Sequence, residues 1–181
     1  MQKYIAFLRG INVSGQKKIN MADLVKLCQR IGFNHVSTYI QSGNICFSHA
    51  NNDKQYLINH LQVEIKQQYG FDVPVIILTK DELDEAYRNL PFKQIDIENQ
   101  GNQVLLSFLN EQPQKDKIDQ LLAYVNPPEK LTIADQIIYL HCPNGYGKSK
   151  LSNNFIENKL KLVATTRNLK TINKLISILS H

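Results

Sequence analysis

The order of apolar patterns in the first half of the chain constrains the fold more than any other feature of the sequence. Two stretches repeat apolar side chains at helical spacing, residues 21–31 and 57–65. Four short stretches have the apolar and β-branched character of strands: residues 3–9, 36–40, 45–47 and 73–78. Their order, strand–helix–strand–strand–helix–strand, predicts a ferredoxin-like subdomain with two helices on one face of a four-stranded antiparallel sheet.

The second half of the chain has a similar order of elements. Strand-like stretches occupy residues 104–109, 131–134, 137–141 and 163–165, and helical spacing occurs at residues 118–125, 151–160 and 169–179. No repeat is visible at the level of individual residues, so a duplication would be topological only. We therefore predict an α+β protein with a ferredoxin-like subdomain at 1–79, a capping helix and linker at 80–102, and a second α+β subdomain with a C-terminal helix at 103–181.

The short helix predicted after the fourth strand begins with a capping box, Thr79-Lys80-Asp81-Glu82. Four carboxylates, those of residues 81, 82, 84 and 85, fall in and just after its first turn. Negative side chains there complement the helix dipole. We interpret this acidic group as structural rather than catalytic.

Three of the predicted strands, at residues 3–9, 73–78 and 104–109, are apolar on both faces. Strands of this kind are normally covered on both sides of the sheet. An RNA-recognition sheet instead needs one open face with aromatic side chains, and the third strand, Asn44-Ile45-Cys46-Phe47, lacks the signature of that module. We therefore do not expect sequence-specific binding to nucleic acid.

The net charge of +5 is distributed unevenly. Residues 1–30 carry six basic and one acidic side chain, and residues 144–181 carry seven and one, whereas the segment between them is acidic. Basic ends favour an anionic partner, including weak nonspecific contact with nucleic acid. A solvated surface that keeps the protein soluble explains the same charges equally well.

The sequence also suggests where the protein resides and which cofactors to expect. No apolar run approaches the ~20 residues of a membrane span, and no secretion signal is visible, so we expect a cytoplasmic protein with no membrane association. The three cysteines are far apart and the five histidines are scattered, without the spacing of a disulfide framework or a metal site. We expect neither a metal nor another cofactor.

The loop at residues 9–18 is the first candidate for ligand binding. Its two glycines allow the backbone to approach a ligand closely, and basic and amide side chains supply hydrogen-bond donors. The candidate residues are Arg9, Gly10, Asn12 and Lys18.

The loop at residues 142–150 is the second candidate, with Asn144, Gly145, Lys148 and Ser149 as possible ligand contacts. Glycines and a lysine before a helix start would suit an anion. The segment is not a P-loop, because Cys142 stands where that motif requires glycine. A tight turn with Ser149 as the N-cap of the next helix is an equally good interpretation.

A third candidate, Arg167, lies in the segment Thr165-Thr166-Arg167-Asn168 before the last helix, where Thr166 or Asn168 would serve as the cap. No arrangement of nucleophile and base emerges, so whether the protein is an enzyme stays open. Cys142 beside a basic loop would be a nucleophile if its pKa were lowered.

The relative position of the loops matters for any shared site. In the predicted ferredoxin-like sheet, we expect the loops after the first and third strands at one end and the hairpin Gln41–Asn44 at the other. On that expectation the hairpin would not share a site with Arg9.

Several segments resemble the domain-of-unknown-function family 1697. They are Arg-Gly-Ile-Asn-Val-Ser-Gly at 9–15, Thr-Tyr-Ile-Gln-Ser-Gly-Asn at 38–44, Pro-Asn-Gly at 143–145, Ser-Lys-Leu at 149–151 and Thr-Arg-Asn at 166–168. The resemblance implies a cytoplasmic bacterial protein with two α+β subdomains, the first ferredoxin-like, and no assigned activity. The chain departs from the family's usual glycine at Ser14 and from its usual tryptophan at Leu169.

Three functional hypotheses follow from these features. The first is binding of a small phosphorylated or nucleotide-like anion at the glycine-bearing basic loops. The second is a homo-oligomeric interaction module with no small ligand, in which the same loops are turns. The third is weak nonspecific binding to nucleic acid.

Overall fold

The structure is a computed structural model that describes all of residues 1–181. The chain divides into two compact units, the first formed by Met1–Glu85 with Leu175–His181 and the second by Ala86–Lys174. The boundary lies within the predicted capping helix. The last residues of the chain group with the first unit, where the Lys3 ammonium donates to the carbonyl of Leu179 at 2.7 Å.

The first unit has the predicted ferredoxin-like order. Its elements are β1 (Gln2–Leu8), α1 (Met21–Arg30), β2 (Asn34–Tyr39), β3 (Asn44–His49), α2 (Lys54–Tyr69), β4 (Val75–Thr79) and the start of α3 (Lys80–Arg88). The sheet order is β2-β3-β1-β4, and each neighbouring pair is antiparallel. Local signals set the helix limits: the Asn20 side chain caps α1, and Gly70, at φ 80°, ends α2.

The second unit has the same topology. Its elements are α4 (Ile97–Gln100), β5 (Val104–Leu109), α5 (Lys115–Leu122), β6 (Lys130–Ala134), β7 (Ile137–His141), a 3₁₀ turn (Tyr146–Lys148), α6 (Asn153–Leu160), β8 (Ala164–Asn168) and the first part of α7 (Leu169–Ser180). The sheet order is β6-β7-β5-β8, again antiparallel throughout. The predicted α+β class is confirmed, and the second half is itself ferredoxin-like.

The central strands of both sheets are buried on both faces. In β1, Tyr4 and Leu8 belong to the core under α1 and α2, while Ile5 and Phe7 on the opposite face are fully buried as well. All six residues of β5 are buried in the same way. The prediction that these strands are covered on both sides is confirmed. The accessible parts of each unit are its loops, its helix surfaces and one edge strand, β2 or β6.

The capping box that begins α3 is present in full. The Thr79 hydroxyl accepts from the Glu82 amide at 3.1 Å, and the Glu82 carboxylate accepts from the Thr79 amide at 2.8 Å. The segment at 93–102, predicted as linker, contains α4 and belongs to the second unit. None of the helices combines the length and the apolar character that a membrane span requires.

Candidate functional site

Three loops meet at one end of the strands of the first sheet: the β1–α1 loop (residues 9–20), the β2–β3 turn (residues 40–43) and the α2–β4 loop (residues 70–74). We refer to these loops, at this end of the strands, as the three-loop edge. Phe7 lies opposite Asn44 in the ladder, and the Leu8 amide donates to the Gly43 carbonyl at 2.8 Å. The next amide, that of Arg9, donates to the Pro74 carbonyl at 2.9 Å. The end of β1 therefore joins all three loops.

This arrangement corrects the expectation that the hairpin and Arg9 lie at opposite ends of the sheet. β1 and β2 are both antiparallel to β3, so they run parallel to each other. Helix α1 carries the chain back between them, so both strands end at the same edge. The loop that follows β3, residues 50–53, is the one at the opposite edge.

Asn12 holds the β1–α1 loop in shape. Its side-chain amide donates to the carbonyls of Ile19, at 3.0 Å, and Gln41, at 2.9 Å. Its side-chain oxygen accepts from the Ile19 amide at 2.9 Å. These bonds close the loop on itself and tie it to the β2–β3 turn, so we assign Asn12 a positioning role rather than direct contact with a ligand.

Gly43 locks the turn against the end of β1. Its φ is 75°, and a Cβ atom there would lie 2.6 Å from Leu8 Cβ and 2.8 Å from Ile11 Cδ1. Asn44 is fully buried, and its side chain donates to the Tyr39 carbonyl at 2.9 Å and to the Ser42 hydroxyl at 3.0 Å. The turn is thereby held in a single position by contacts that only glycine permits.

The backbone of the three-loop edge is left-handed at several residues that are not glycine. Asn12, Ser14 and Lys17 have φ values of 54°, 49° and 45°. At Ser14 this conformation costs about 1–2 kcal/mol relative to glycine, because glycine has no Cβ atom to clash with the backbone. Ile40 has φ 51°, and a β-branched residue in this region is a conformational outlier.

Positive charge and exposed peptide groups lie together in the loop. The peptide N–H groups of Ser14 and Gly15 donate to no acceptor within the chain. Lys18 is exposed, and its Cε atom lies 4.0 Å from the position that a Cβ atom would take on Gly15. Residues 9–20 contain three basic side chains and no acidic one. This combination is suited to an anion.

Lys17, the other lysine of the three-loop edge, has a partner of its own. Lys17 donates to the carbonyl of Asp72 at 2.6 Å, and the Asp72 carboxylate pairs with Lys66 at 3.0 Å. Arg9 is half-buried at the start of the loop. Lys18 is therefore the best-placed cation for a ligand.

Two large apolar side chains are exposed at the same edge. Val13 is 58% exposed and Ile40 is 50% exposed. Each is the chain neighbour of one partner in the Asn12–Gln41 hydrogen bond. The polar contact that joins the two loops is thus flanked by apolar surface, a feature that the sequence patterns alone did not reveal.

In the second unit, the loop after β7 is a compact turn. The amides of Gly145, Lys148 and Ser149 donate to carbonyls within the loop, at 2.9, 3.1 and 3.0 Å. Ser149 is not the N-cap of α6: its hydroxyl accepts from the Leu151 amide at 3.1 Å. The cap is Ser152, whose hydroxyl accepts from the Phe155 amide at 3.3 Å.

Helix α6 begins only at Asn153, so the residues of the loop do not lie at the positive N-terminal end of its dipole. Of the candidates in the loop, Asn144 and Lys148 have exposed side chains, while Gly145 and Ser149 are partly buried. The glycine loop is therefore not continuous with the N-terminus of α6.

Arg167 lies on β8, opposite Leu106 of β5, at the edge of the sheet where β7 also ends. Its guanidinium donates to the Thr165 hydroxyl and the Thr166 carbonyl, both at 2.9 Å. Of the two proposed caps of α7, Asn168 is the one that accepts from the helix, from the Thr171 amide at 2.8 Å.

The cysteines are unsuited to nucleophilic chemistry. Cys142 is 1% exposed, and burial raises the pKa of its thiol to about 11. The hypothesis of a lowered pKa at Cys142 is therefore wrong, because burial disfavours the thiolate. Burial also raises the pKa of Cys28 and of Cys46 to about 12. No group of three or more histidine, cysteine, aspartate or glutamate side chains is placed to hold a metal ion.

Comparison with known proteins gives a family and a fold. The structure of the conserved bacterial protein SP0830 from Streptococcus pneumoniae is similar, with a TM-score of 0.76, 24% sequence identity and 98% of each chain covered. At this identity the likeness shows the fold alone. No curated protein matches the chain. The model of the family described as "Protein of unknown function (DUF1697)" matches residues 1–139, a range that includes the whole three-loop edge. The chain belongs to this DUF1697 family.

Proposed function

We propose that the three-loop edge binds a small phosphorylated or nucleotide-like anion. The single observation that carries the proposal is the approach of the Lys18 side chain to Gly15, whose peptide N–H, like that of Ser14, donates to no acceptor within the chain. A positive side chain next to unpaired peptide donors provides both charge and direct hydrogen bonds for an anionic oxygen. Arg9 and Gly10, at the start of the loop, complete the proposed set of contacts.

The loop is also organised before a ligand arrives. Asn12 ties it to Ile19 and Gln41, and the close approach of Gly43 to Leu8 holds the adjoining turn. A site that is already ordered loses less conformational entropy on binding. The left-handed residues of this loop support the same conclusion, because strained backbone is concentrated at functional sites.

The loop after β7 has weaker support as part of a ligand site. Its amides are engaged within the loop, and it is separated from the start of α6. We propose that residues 144–149 form a structural turn, and that Arg167 stabilises the end of β8 through its contacts with residues 165 and 166.

The test is a titration with inorganic phosphate, pyrophosphate and nucleotides by isothermal calorimetry, combined with thermal-shift measurements. Lys18→Ala should weaken binding about tenfold to a hundredfold, because a charge-assisted hydrogen bond contributes roughly 1.5–3 kcal/mol. Lys26→Ala is the matched control, since the Lys26 side chain is 77% exposed on α1 of the same unit. Equal affinity for Lys18→Ala and wild type would contradict the proposal.

Lys148→Ala adds a second comparison for the same titration. If the loop after β7 is a structural turn, this variant should bind the anion as tightly as wild type. A loss of affinity similar to that of Lys18→Ala would instead indicate that residues 144–149 contribute to the ligand site.

A second candidate function is self-association through the same edge. The observation in its favour is the pair of exposed apolar side chains at Val13 and Ile40. Sedimentation velocity over a range of protein concentrations tests it directly. A dimer that dissociates when Ile40 is replaced would favour this function over anion binding.

A further inference from the structure

The exposed side chains of Val13 and Ile40 lie on two loops that also carry the proposed anion site. Isolated apolar side chains on a protein surface are common and need no explanation. Here the two residues adjoin the Asn12–Gln41 hydrogen bond, and Lys18 belongs to the same loop as Val13. Apolar surface and positive charge therefore occur within one small, ordered edge.

The conformation of Ile40 indicates that its side chain is not there to stabilise the fold. At φ 51° the backbone favours glycine or asparagine, and a β-branched side chain is strained. The side chain is 50% exposed, so burial offsets only part of this strain. Strained residues of this kind cluster at ligand-binding and active sites.

Building on the proposed function, we infer that the ligand of the three-loop edge carries an apolar ring next to its anionic group. The anionic group lies against Lys18 and the peptide groups of Ser14 and Gly15. The ring packs on Ile40 and Val13. The chemical class is an aryl or heteroaryl phosphate, of which a nucleotide is one example.

The experiment compares two probes that differ only in the ring, inorganic phosphate and phenyl phosphate, by calorimetric titration. Wild type should bind phenyl phosphate more tightly than phosphate. Ile40→Gly should weaken phenyl phosphate roughly threefold to tenfold, as expected from loss of part of a side-chain contact, and leave phosphate unchanged. Lys18→Ala should weaken both probes.

The chain offers a control for each substitution. His35 is exposed and has φ 51°, so His35→Gly relieves the same kind of strain at the other end of β2. Both glycine variants should raise the melting temperature, but only Ile40→Gly should change the affinity for phenyl phosphate. Val63, also 50% exposed but on α2, is the control for Val13: Val13→Ser should weaken phenyl phosphate and Val63→Ser should not.

The outcomes separate this inference from the proposed function. If wild type binds phosphate in a Lys18-dependent way but shows no preference for phenyl phosphate, the inference is wrong and the anion site stands. If neither probe binds, both fail. If Ile40→Gly converts a dimer to a monomer without changing the preference between probes, the apolar surface belongs to a second copy of the chain and the inference is again wrong.

Discussion

The two ferredoxin-like units close the same edge of the sheet with equivalent hydrogen bonds. In the first unit, Leu8 and Arg9 donate to the turn after β2 and to the loop before β4, at 2.8 and 2.9 Å. In the second unit, the amides of Leu109 and Asn110 donate to the corresponding carbonyls of Gln136 and Val163, at 2.9 and 3.1 Å. The same pair of backbone contacts is therefore present where the three loops meet in each unit.

The difference lies in what each unit adds to that edge. Between the first strand and the first helix, the first unit has the twelve residues 9–20, and the second unit has the five residues 110–114. The long loop carries three basic and no acidic side chains, whereas the short one carries Glu111 and no basic side chain. Because the shorter loop closes the same end of its sheet, the extra length, charge and left-handed backbone of the first unit are not required for that closure, which agrees with the binding role proposed above.

The two units also differ in the sheet residues that face the helices. Ala6 and Ile77 of the first sheet correspond in register to Ser107 and Thr166 of the second. The hydroxyls of Ser107 and Thr166 are 2.6 Å apart, and Thr166 donates to the Asn153 side chain at 2.7 Å. The second unit thus uses partly buried polar contacts to fix α6 on strand β8. The first unit has the apolar side chains of Ala6 and Ile77 at this position.

Among the substitutions that test this comparison, we expect the largest effect at Gly43. We expect Gly43→Ala to lower the free energy of unfolding by about 2–4 kcal/mol, because it adds the strain of a left-handed side chain to a clash with Leu8 and Ile11. Gly32→Ala is the control: φ there is 91°, but nothing lies within 4 Å of the added Cβ atom, so about 1 kcal/mol should be lost. Urea denaturation measures both, and equal losses would show that the tight approach at Gly43 is unimportant.

Asn12 and Asn110 provide the next comparison. Asn12→Ala should lower the free energy of unfolding by about 2–3 kcal/mol, because three hydrogen bonds of roughly 1 kcal/mol each are lost. Asn110→Ala removes the acceptor of the Val163 amide, at 2.8 Å, and should lower it by about 1 kcal/mol. Urea denaturation of the two variants side by side measures the loss in free energy of unfolding for each. Losses of the same size would mean that the long loop is no more dependent on its asparagine than the short one.

Ser14→Gly should produce a smaller change of the opposite sign. Glycine relieves the strain of the left-handed backbone at φ 49°, and this relief is larger than the entropic cost of a more flexible unfolded chain. We therefore expect the free energy of unfolding to increase by about 0.5–1 kcal/mol. Gly15, already left-handed at φ 75°, gives the reverse control: Gly15→Ser should be destabilising. A gain from Gly15→Ser would show that φ does not govern stability in this loop.

The smallest expected effect is a pH dependence specific to the second unit. Burial, followed by the positive charge of Lys130, lowers the pKa of His141 in the folded state. The unfolded chain takes up this proton near its ordinary value of about 6.5, so stability should decrease as the pH falls below that value. The equivalent position in the first unit is Ser48, which does not titrate.

His141→Ser should therefore flatten the melting temperature between pH 7 and pH 5.5, pH values chosen to bracket the ordinary value of about 6.5. The control is His181→Ser, which removes an exposed histidine outside both sheets and is measured in the same way. An unchanged slope in His141→Ser would exclude this group as the source of the pH dependence.

The sequence by itself determined the order of the strands and helices and several of their ends. Helical spacing, the capping box at Thr79 and Glu82, and the terminating Gly70 all act over a few residues, so their patterns are readable in the chain. The two-sided apolar character of β1 and β5 likewise predicted their burial correctly. The loop at 9–18 was also selected from local properties, its glycines and its basic side chains.

Only the tertiary structure decided which of these segments meet. The β2–β3 turn lies next to Arg9 and Asn12 because β1 and β2 both pair antiparallel with β3 and therefore run in the same direction. This relation depends on residues far apart in the chain. The same holds for the cap of α6, where Ser149 and Ser152 are both plausible from local residue type and packing selects the second. Burial of Cys142 reversed the pKa shift expected from its basic neighbours. Local patterns reflect interactions within a turn or two of the backbone, whereas the candidate site depends on strand direction and burial, which arise only when distant segments pack.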